Sequence, residues 1–541
     1  MKKFVVLGLF GLLIMAFGAA AYAQDKLEFK ASGAFEATSF LFRNIASGAT
    51  GDAITTRWPG SGLVAGGYLA GAPGRGFRPQ DIATDPRESG AWDRTNSYME
   101  FRGTLRFDAI MGKSLSGTVI FEMDSSRWGE AGVGADASQR GTVGFWTADR
   151  NAVEIKNLYI DVSLPYFGIP APMQARVGIQ PLGVRPHIFM ITDGAGITGA
   201  VKIDPVMINL QWAKAVEGRE ATADDVDVYG INVNAKLGPV TPGLFLFNWN
   251  MNSYPLQAAN ALPNYMATAP DRANFWWIGA YLDGKLGPLD VNFDFVYDWG
   301  TVKARENFWG ILAQDKVKYR GFATQLKLNF PWEKFNFGVL GMYASGADMR
   351  KTGRTGLPGE AVADGGAAVG QARKVGSYVI PPGSEEWAAW GESMIFSNNY
   401  ITATALPLGM WPSLGTYPLA VNRGAIGGTW VGKFYANVMV TPWYKVTLQG
   451  LYIGDTTKHG NTLGDAVKVT GRLRDDKSIG FELDLMQDIQ IYKNLKWSIG
   501  AGILFAGDAL DQKVGLAAAA PFRNDSPKDP WIFATKLRYD F

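Results

Sequence analysis

Read by alternate residues, the chain breaks into short stretches whose odd and even positions carry opposite chemistry. The last twelve residues, Pro530 to Phe541, show it most plainly. Trp531, Phe533, Thr535, Leu537, Tyr539 and Phe541 take the odd positions, and Lys536, Arg538 and Asp540 stand among the even ones. Period-2 alternation marks a strand with two unlike faces. One aromatic, apolar face and one charged face suit a wall between lipid and water. From Leu27 the odd positions read Leu, Phe, Ala, Gly, Phe, Ala, Ser, Leu, against Glu28, Lys30, Glu36 and Thr38. A second stretch sets Met99, Phe101, Leu105 and Phe107 against Glu100, Arg102, Thr104, Arg106 and Asp108. A third sets Leu115, Val119, Phe121 and Met123 against Glu122 and Asp124.

The strands are joined by short and long connections in strict alternation. Short turns are expected near 111–114, 165–172, 204–205, 238–241, 286–288, 331–334, 441–443 and 489–493. Long ones are expected near 43–95, 125–150, 181–195, 216–224, 250–273, 300–315, 346–424, 454–475 and 507–529. Eight turns and nine loops join 18 strands. The expected fold is therefore all-β: a single antiparallel transmembrane β-barrel of about 18 strands, with long extracellular loops and short periplasmic turns. A sandwich or propeller has no reason to alternate its connections this way. An even strand number puts both termini on the periplasmic side.

Aromatic residues add a second pattern. Tyr166, Phe167, Trp332, Trp443, Tyr444 and Tyr492 lie beside the short turns, and Trp128, Trp249, Trp276 and Trp299 near the opposite strand ends. Two aromatic girdles at the lipid–water interfaces are expected. The insertions 43–95 and 346–424 exceed what a connection needs and are expected to cover the mouth or fold inward. Within the second, Glu385 to Ser393 has the makings of a short amphipathic helix, and Gly359 to Gly370 is rich in Ala and Gly.

The other end of the chain fits this fold. Lys2 and Lys3, an apolar run from Phe4 to about Phe17, and Ala21-Tyr22-Ala23 form the three parts of a secretory signal peptide spanning 1–23, leaving a barrel of 24–541. No later stretch reaches the roughly 18 apolar residues of a membrane helix. An exported chain that is 47% hydrophobic, 19% charged and carries 66 Gly fits apolarity spread over alternate positions. A net charge of +2 gives no basic signal for nucleic acid. The absence of Cys excludes disulfides, a lipidated Cys and covalent haem attachment.

Catalysis has little to stand on, so no enzyme, metal or cofactor is expected. The only histidines, His187 and His459, fall in expected loops without the partners that a nucleophile system or zinc site needs. Gly112-Lys113-Ser114 lacks the upstream glycine of a phosphate loop, position 107 being Phe, and reads as a hairpin turn. Asp224, Asp225 and Asp227 lack calcium-loop spacing and read as a solvated acidic segment.

The inward faces carry the candidate site. Lys30, Arg102, Arg106, Arg176, Lys496, Lys536 and Arg538 come from strands that adjoin once the barrel closes, and make a pore-lining basic wall. Asp283, Asp290, Asp294, Asp298, Glu482 and Asp484 make a pore-lining acidic wall opposite. Opposed walls would set a field across a water-filled lumen, blurred on the basic side by Glu28, Glu36, Glu122 and Asp124. The connection after the fifth strand, with Arg185, His187 and Asp193, is a candidate constriction, or else an external loop on the rim.

Several stretches resemble Gram-negative porins of the alginate-export or broader substrate-channel type: KLRYDF (536–541), ARVGIQPLG (175–183) and GFELDLMQDIQIYKNLKWSIGAGILFAGD (480–508). The resemblance is fullest in the C-terminal third. It implies a passive outer-membrane channel for small polar or anionic solutes. It also implies contact with outer-membrane lipid and lipopolysaccharide, and leaves monomer and homotrimer open. Tyr539 and Phe541 resemble the terminal signal read by the barrel-assembly machinery. Two other readings stand beside diffusion. One is export of a polyanionic polysaccharide along the basic wall. The other is a plugged barrel acting as scaffold or receptor, for instance for an electron-transfer partner.

Overall fold

The structure is a computed structural model that describes residues 26–43, 95–128, 153–164, 171–217, 225–254, 271–303, 316–351, 374–381, 392–396, 426–462, 466–514, 523–526 and 528–541. The expected leader, most of the insertions 43–95 and 346–424, the Gly359–Gly370 stretch and the turn carrying Tyr166 and Phe167 lie outside these residues.

Eighteen long strands form one closed sheet. They are β1 (Leu27–Arg43), β2 (Thr95–Met111), β3 (Leu115–Arg127), β4 (Glu154–Leu164), β5 (Met173–Val184), β6 (Met190–Ile203), β7 (Val206–Val216), β8 (Val226–Ala235) and β9 (Val240–Tyr254). Then follow β10 (Asp271–Leu286), β11 (Leu289–Lys303), β12 (Lys316–Trp332), β13 (Phe335–Ala344), β14 (Thr429–Thr441), β15 (Tyr444–Asp455), β16 (Ser478–Tyr492), β17 (Leu495–Ala506) and β18 (Trp531–Asp540). Each pairs antiparallel with its sequence neighbours, and β18 returns to β1 from Ala34↔Asp540 to Arg43↔Trp531. Closure leaves no unpaired sheet edge. Of the described residues, 374–375 add a two-residue strand parallel to β12, and Gln512–Val514 pairs with Arg523–Asp525 in a small hairpin. No helix among the described residues is long and apolar enough to cross a membrane.

The alternation read from sequence is the alternation of the wall. Phe29, Phe107, Leu244, Phe434, Leu448, Phe533 and Leu537 are exposed on the outside. An exposed apolar belt running round a closed barrel matches a lipid-facing surface. Turns are short where expected, as at Gly287, whose φ of +62° suits a residue without Cβ. One connection departs from expectation. The span 181–195 is not a long loop, because β5 runs to Val184 and β6 begins at Met190, leaving five residues between them.

Among the described residues the aromatic girdles hold with one exception. Trp332, Trp443 and Tyr492 are exposed beside the turns, and Trp276 stacks on Trp299 at 6.1 Å. Trp249, expected among the outward tryptophans, points inward and is 3% exposed.

The seam is closed by the terminal residue. Phe541 exchanges backbone hydrogen bonds with Gly33 at 2.9 and 3.0 Å, and its ring lies against Phe35 at 5.2 Å. A Cβ on Gly33 would come within 2.7 Å of the Phe541 ring and closer still to the Thr104 carbonyl. Gly33→Val should therefore displace the terminal ring and hinder closure. In refolding assays the heat-modifiable, compact gel band should fall at least twofold, a loss of the order expected from overpacking. An unchanged folded fraction would remove this role from Gly33.

Candidate functional site

The inner wall changes character around its circumference. On β9 and β10 it is apolar: Phe245, Phe247, Trp249, Met251, Ala273, Phe275 and Trp277 are all buried. Apolar rings facing a lumen stay dry only when something covers them. Two parts of the chain do so, the β5–β6 tip and described pieces of the long insertion between β13 and β14.

The tip is residues 185–189. Arg185 takes a left-handed φ of +49°, and its carbonyl accepts hydrogen bonds from the Ile188 and Phe189 N–H groups at 3.0 and 2.8 Å. This tight turn drives Ile188, Phe189 and Met190 into the lumen, where Phe189 stacks on Phe245 at 4.7 Å. Arg185 spans to β10 and β11 and forks between two carboxylates. Nη1 donates to Asp283 at 2.5 Å, Nη2 donates to Asp294 at 3.0 Å, and Nε also donates to Asp294. The guanidinium lies 4.5 Å from the Tyr281 ring centroid, and His187 Nε2 sits 2.6 Å from Asp294. Arg185 and His187 thus come together across the lumen. Asp193 does not join them. It stays on β6, with Asn157 Nδ2 at 2.8 Å and Lys156 Nζ at 3.3 Å.

The insertion docks beside the tip. Tyr378 donates to the Ile188 carbonyl at 2.7 Å, and Trp277 Nε1 donates to the Val379 carbonyl at 2.8 Å. Asp298, fully buried, accepts from the Gly321 and Val379 N–H groups at 3.1 and 3.3 Å. Further along, Glu482 and Asp484, two residues apart on one face of β16, accept from the backbone of 394–396. Met394 and Ile395 donate to Glu482 Oε1 at 2.8 and 2.7 Å, Phe396 donates to Oε2 at 2.9 Å, and Met394 also donates to Asp484 at 3.1 Å. Glu392 lies between Lys327 and Lys433 at 2.5 and 2.7 Å.

These contacts correct the acidic wall. Asp298, Glu482 and Asp484 do not face water; they are covered by the insertion and hold its backbone N–H groups. Asp294 is 1% exposed and holds the tip. Only Asp283 and Asp290 remain substantially accessible. Sequence reading missed the covered partners, because the sequence alone does not show that 374–380 and 392–396 fold inside.

The basic wall faces the space that the described residues leave in the lumen but is not uniformly basic. Arg102 pairs with Glu122 at 2.6 Å, Arg106 with Asp108 at 2.8 Å, Arg176 with Asp161 at 2.7 Å, Lys496 with Asp488 at 3.0 Å, and Lys30 with Glu28 at 3.5 Å. Arg538 pairs with Asp540 at 2.7 Å and with Glu36, to which Lys536 also reaches at 3.9 Å. Lys156 and Lys445, which sequence reading passed over, extend the series through Glu122 and Asp488, both at 2.8 Å. The most accessible of these pairs lie toward the turn-side ends of their strands. The result is a collar of alternating charge rather than a positive track.

Elsewhere, Asp225 and Asp227 flank Lys214 Nζ at 3.4 and 3.1 Å, while Asp224 lies outside the described residues. His459 is not solvated alone: its Nδ1 sits 2.9 Å from Asp348 at the loop-side end, where Lys351 also binds Asp348 at 2.9 Å. Burial would raise the Asp348 carboxyl, but Lys351, His459 and the Arg350 N–H outweigh it and hold it at about 2. No group of three or more potential metal-ligating side chains occurs among the described residues.

Solved structures of similar architecture include OpdQ of Pseudomonas aeruginosa, 8% identical over 95% of this chain and 98% of that one, with a TM-score of 0.46. A BenF-like porin from Pseudomonas fluorescens Pf-5 gives the same identity, coverage and TM-score. The outer membrane protein OpdK of Pseudomonas aeruginosa is 7% identical, over the same shares, with a TM-score of 0.45. No family model and no curated protein matches the chain. At such distances nothing about solute or mechanism follows from the similarity.

Proposed function

We propose that this barrel is an outer-membrane channel through which small polar solutes diffuse down their gradients, along the charged side of a half-filled lumen. The observation that carries the reading is the contrast between two surfaces of one wall. Outside is an unbroken apolar belt; inside, from β1 to β5 and on β16 to β18, stand accessible ion pairs. Charged groups kept hydrated inside a lipid-facing barrel suit an aqueous path. The tip and the insertion narrow that path by filling the opposite side. Export through a leader at 1–23, and assembly through Tyr539 and Phe541, complete the reading. A long anionic polymer fits less well, since every arginine of the basic wall already holds a carboxylate. The apolar packing inside the lumen favours one rival, a sealed barrel acting as a scaffold.

Single-channel recording of the refolded protein in a planar bilayer separates the two. Small discrete openings are expected; a folded barrel with no conductance would leave the scaffold standing. Selectivity tests the collar. Arg102→Ala with Arg106→Ala takes the cation from Asp108 and one of the two from Glu122, which keeps Lys156, so the reversal potential in a salt gradient should move toward cations by on the order of 10 mV. An unmoved potential would take these residues off the path.

A further inference from the structure

We infer that the solutes this channel favours are small zwitterions, in preference to ions of either single sign. The inference rests on the diffusion reading above and deepens it. Its basis is the arrangement of charge in the collar. Lys445 and Lys496 share Asp488 at 2.8 and 3.0 Å, Arg538 pairs with Asp540 at 2.7 Å, Arg106 with Asp108 at 2.8 Å, and Arg176 with Asp161 at 2.7 Å. The cation of each pair is a third or more exposed, so the pairs meet solvent while staying paired.

Each Arg–Asp pair has almost no net charge but a strong local dipole, while the Asp488 trio has the same dipoles and one positive charge in excess. A lone anion drawn to Arg106 is pushed away by Asp108, and a lone cation meets the reverse, so neither gains much from the collar. A solute with an ammonium and a carboxylate a few ångströms apart can lie antiparallel to the pair and satisfy both partners at once. It need not break a pair and strand one of its members, which a lone ion would have to do. Because the pairs ring one level of the wall and stay paired while the solute lies against them, the collar offers it several shallow sites and no deep trap, the condition for permeation rather than capture.

The test is proteoliposome swelling with three solutes of similar size: glycine betaine, its neutral isostere tert-butylacetamide, and sodium tert-butylacetate. Glycine betaine should enter about threefold faster or more than either of the others, with a salt reversal potential close to zero. Arg106→Ala with Arg538→Ala should abolish that advantage and shift the potential toward cations. The exchange Arg106→Asp with Asp108→Arg keeps the dipole while reversing its order, and should preserve the advantage. Betaine entering no faster than the amide, or loss of the advantage in the exchange variant, would overturn the inference. Impermeability to all three solutes, with no conductance, would instead remove the diffusion reading on which it rests.

Discussion

Alanine at Arg185 should open the lumen. Single-channel conductance is expected to rise about twofold or more, with frequent transitions between levels, because the tip loses the group that holds it across the barrel. Arg185 has 12% of its side chain exposed and Asp294 has 1%. Removing one partner of a buried ion pair costs about 3–5 kcal/mol, since the other is left without compensation. Asp294 keeps His187 beside it, and Asp283 keeps Asn292. Lysine at 185 restores the charge but not the fork, which needs a planar group reaching two carboxylates together. Arg185→Lys should therefore record intermediate levels. Conductance and gating in Arg185→Ala indistinguishable from the parent would mean that apolar packing of Ile188 and Phe189 alone fixes the tip.

The double substitution Glu482→Gln with Asp484→Asn should release the inner end of the insertion. Four N–H contacts from 394–396 converge on these side chains. An amide of the same shape offers one oxygen and turns an NH2 group toward the remaining donors. Each N–H left unsatisfied in a buried place costs about 1–3 kcal/mol, enough in sum to undock a short segment. Protease added from outside should then cut between β13 and β14 at least tenfold faster, while the barrel keeps its heat-modifiable migration. Asp298→Asn should have a smaller effect, since that side chain holds one N–H of the insertion. Equal protection in the double variant and the parent would show that the segment is held by Met394, Ile395 and Phe396 packing alone.

How much of this was legible follows from where each partner lies. The wall was readable because lipid and water impose opposite demands on successive residues, and β1, β2, β3 and β18 obey both. The charged lumen of β1 to β5 was readable for the same reason, but its pairing was not. Glu36 meets Arg538 only after closure brings the first strand to the last. The filled side left a trace that alternation alone passes over. From Gly243 to Met251 the chain reads Gly-Leu-Phe-Leu-Phe-Asn-Trp-Asn-Met, and from Phe275 to Ile278 it reads Phe-Trp-Trp-Ile. Gly243 to Phe247 and Phe275 to Ile278 are apolar on two faces, so the inner face there could not have been meant for water. Trp249 misleads because Asn248 and Asn250 flank it, and parity alone then sends the ring outward. The carboxylates Asp298, Glu482 and Asp484 gave no warning of their role. A charge at an inward position looks the same whether it meets solvent or a backbone amide supplied from scores of residues away.

The two sides of the lumen also answer to different kinds of change. On the β9 to β13 side a new residue must fit rings and backbone already in place, as it must in the centre of any soluble protein. On the turn-side part of β1 to β5 and of β18 the described residues leave the charged side chains of a single sheet accessible. A swap of one polar side chain for another there disturbs few neighbours. Descendants of this gene could therefore change the charges along one arc by a few exchanges while inheriting the other unchanged. Divergence in what the lumen presents need not be accompanied by divergence in architecture.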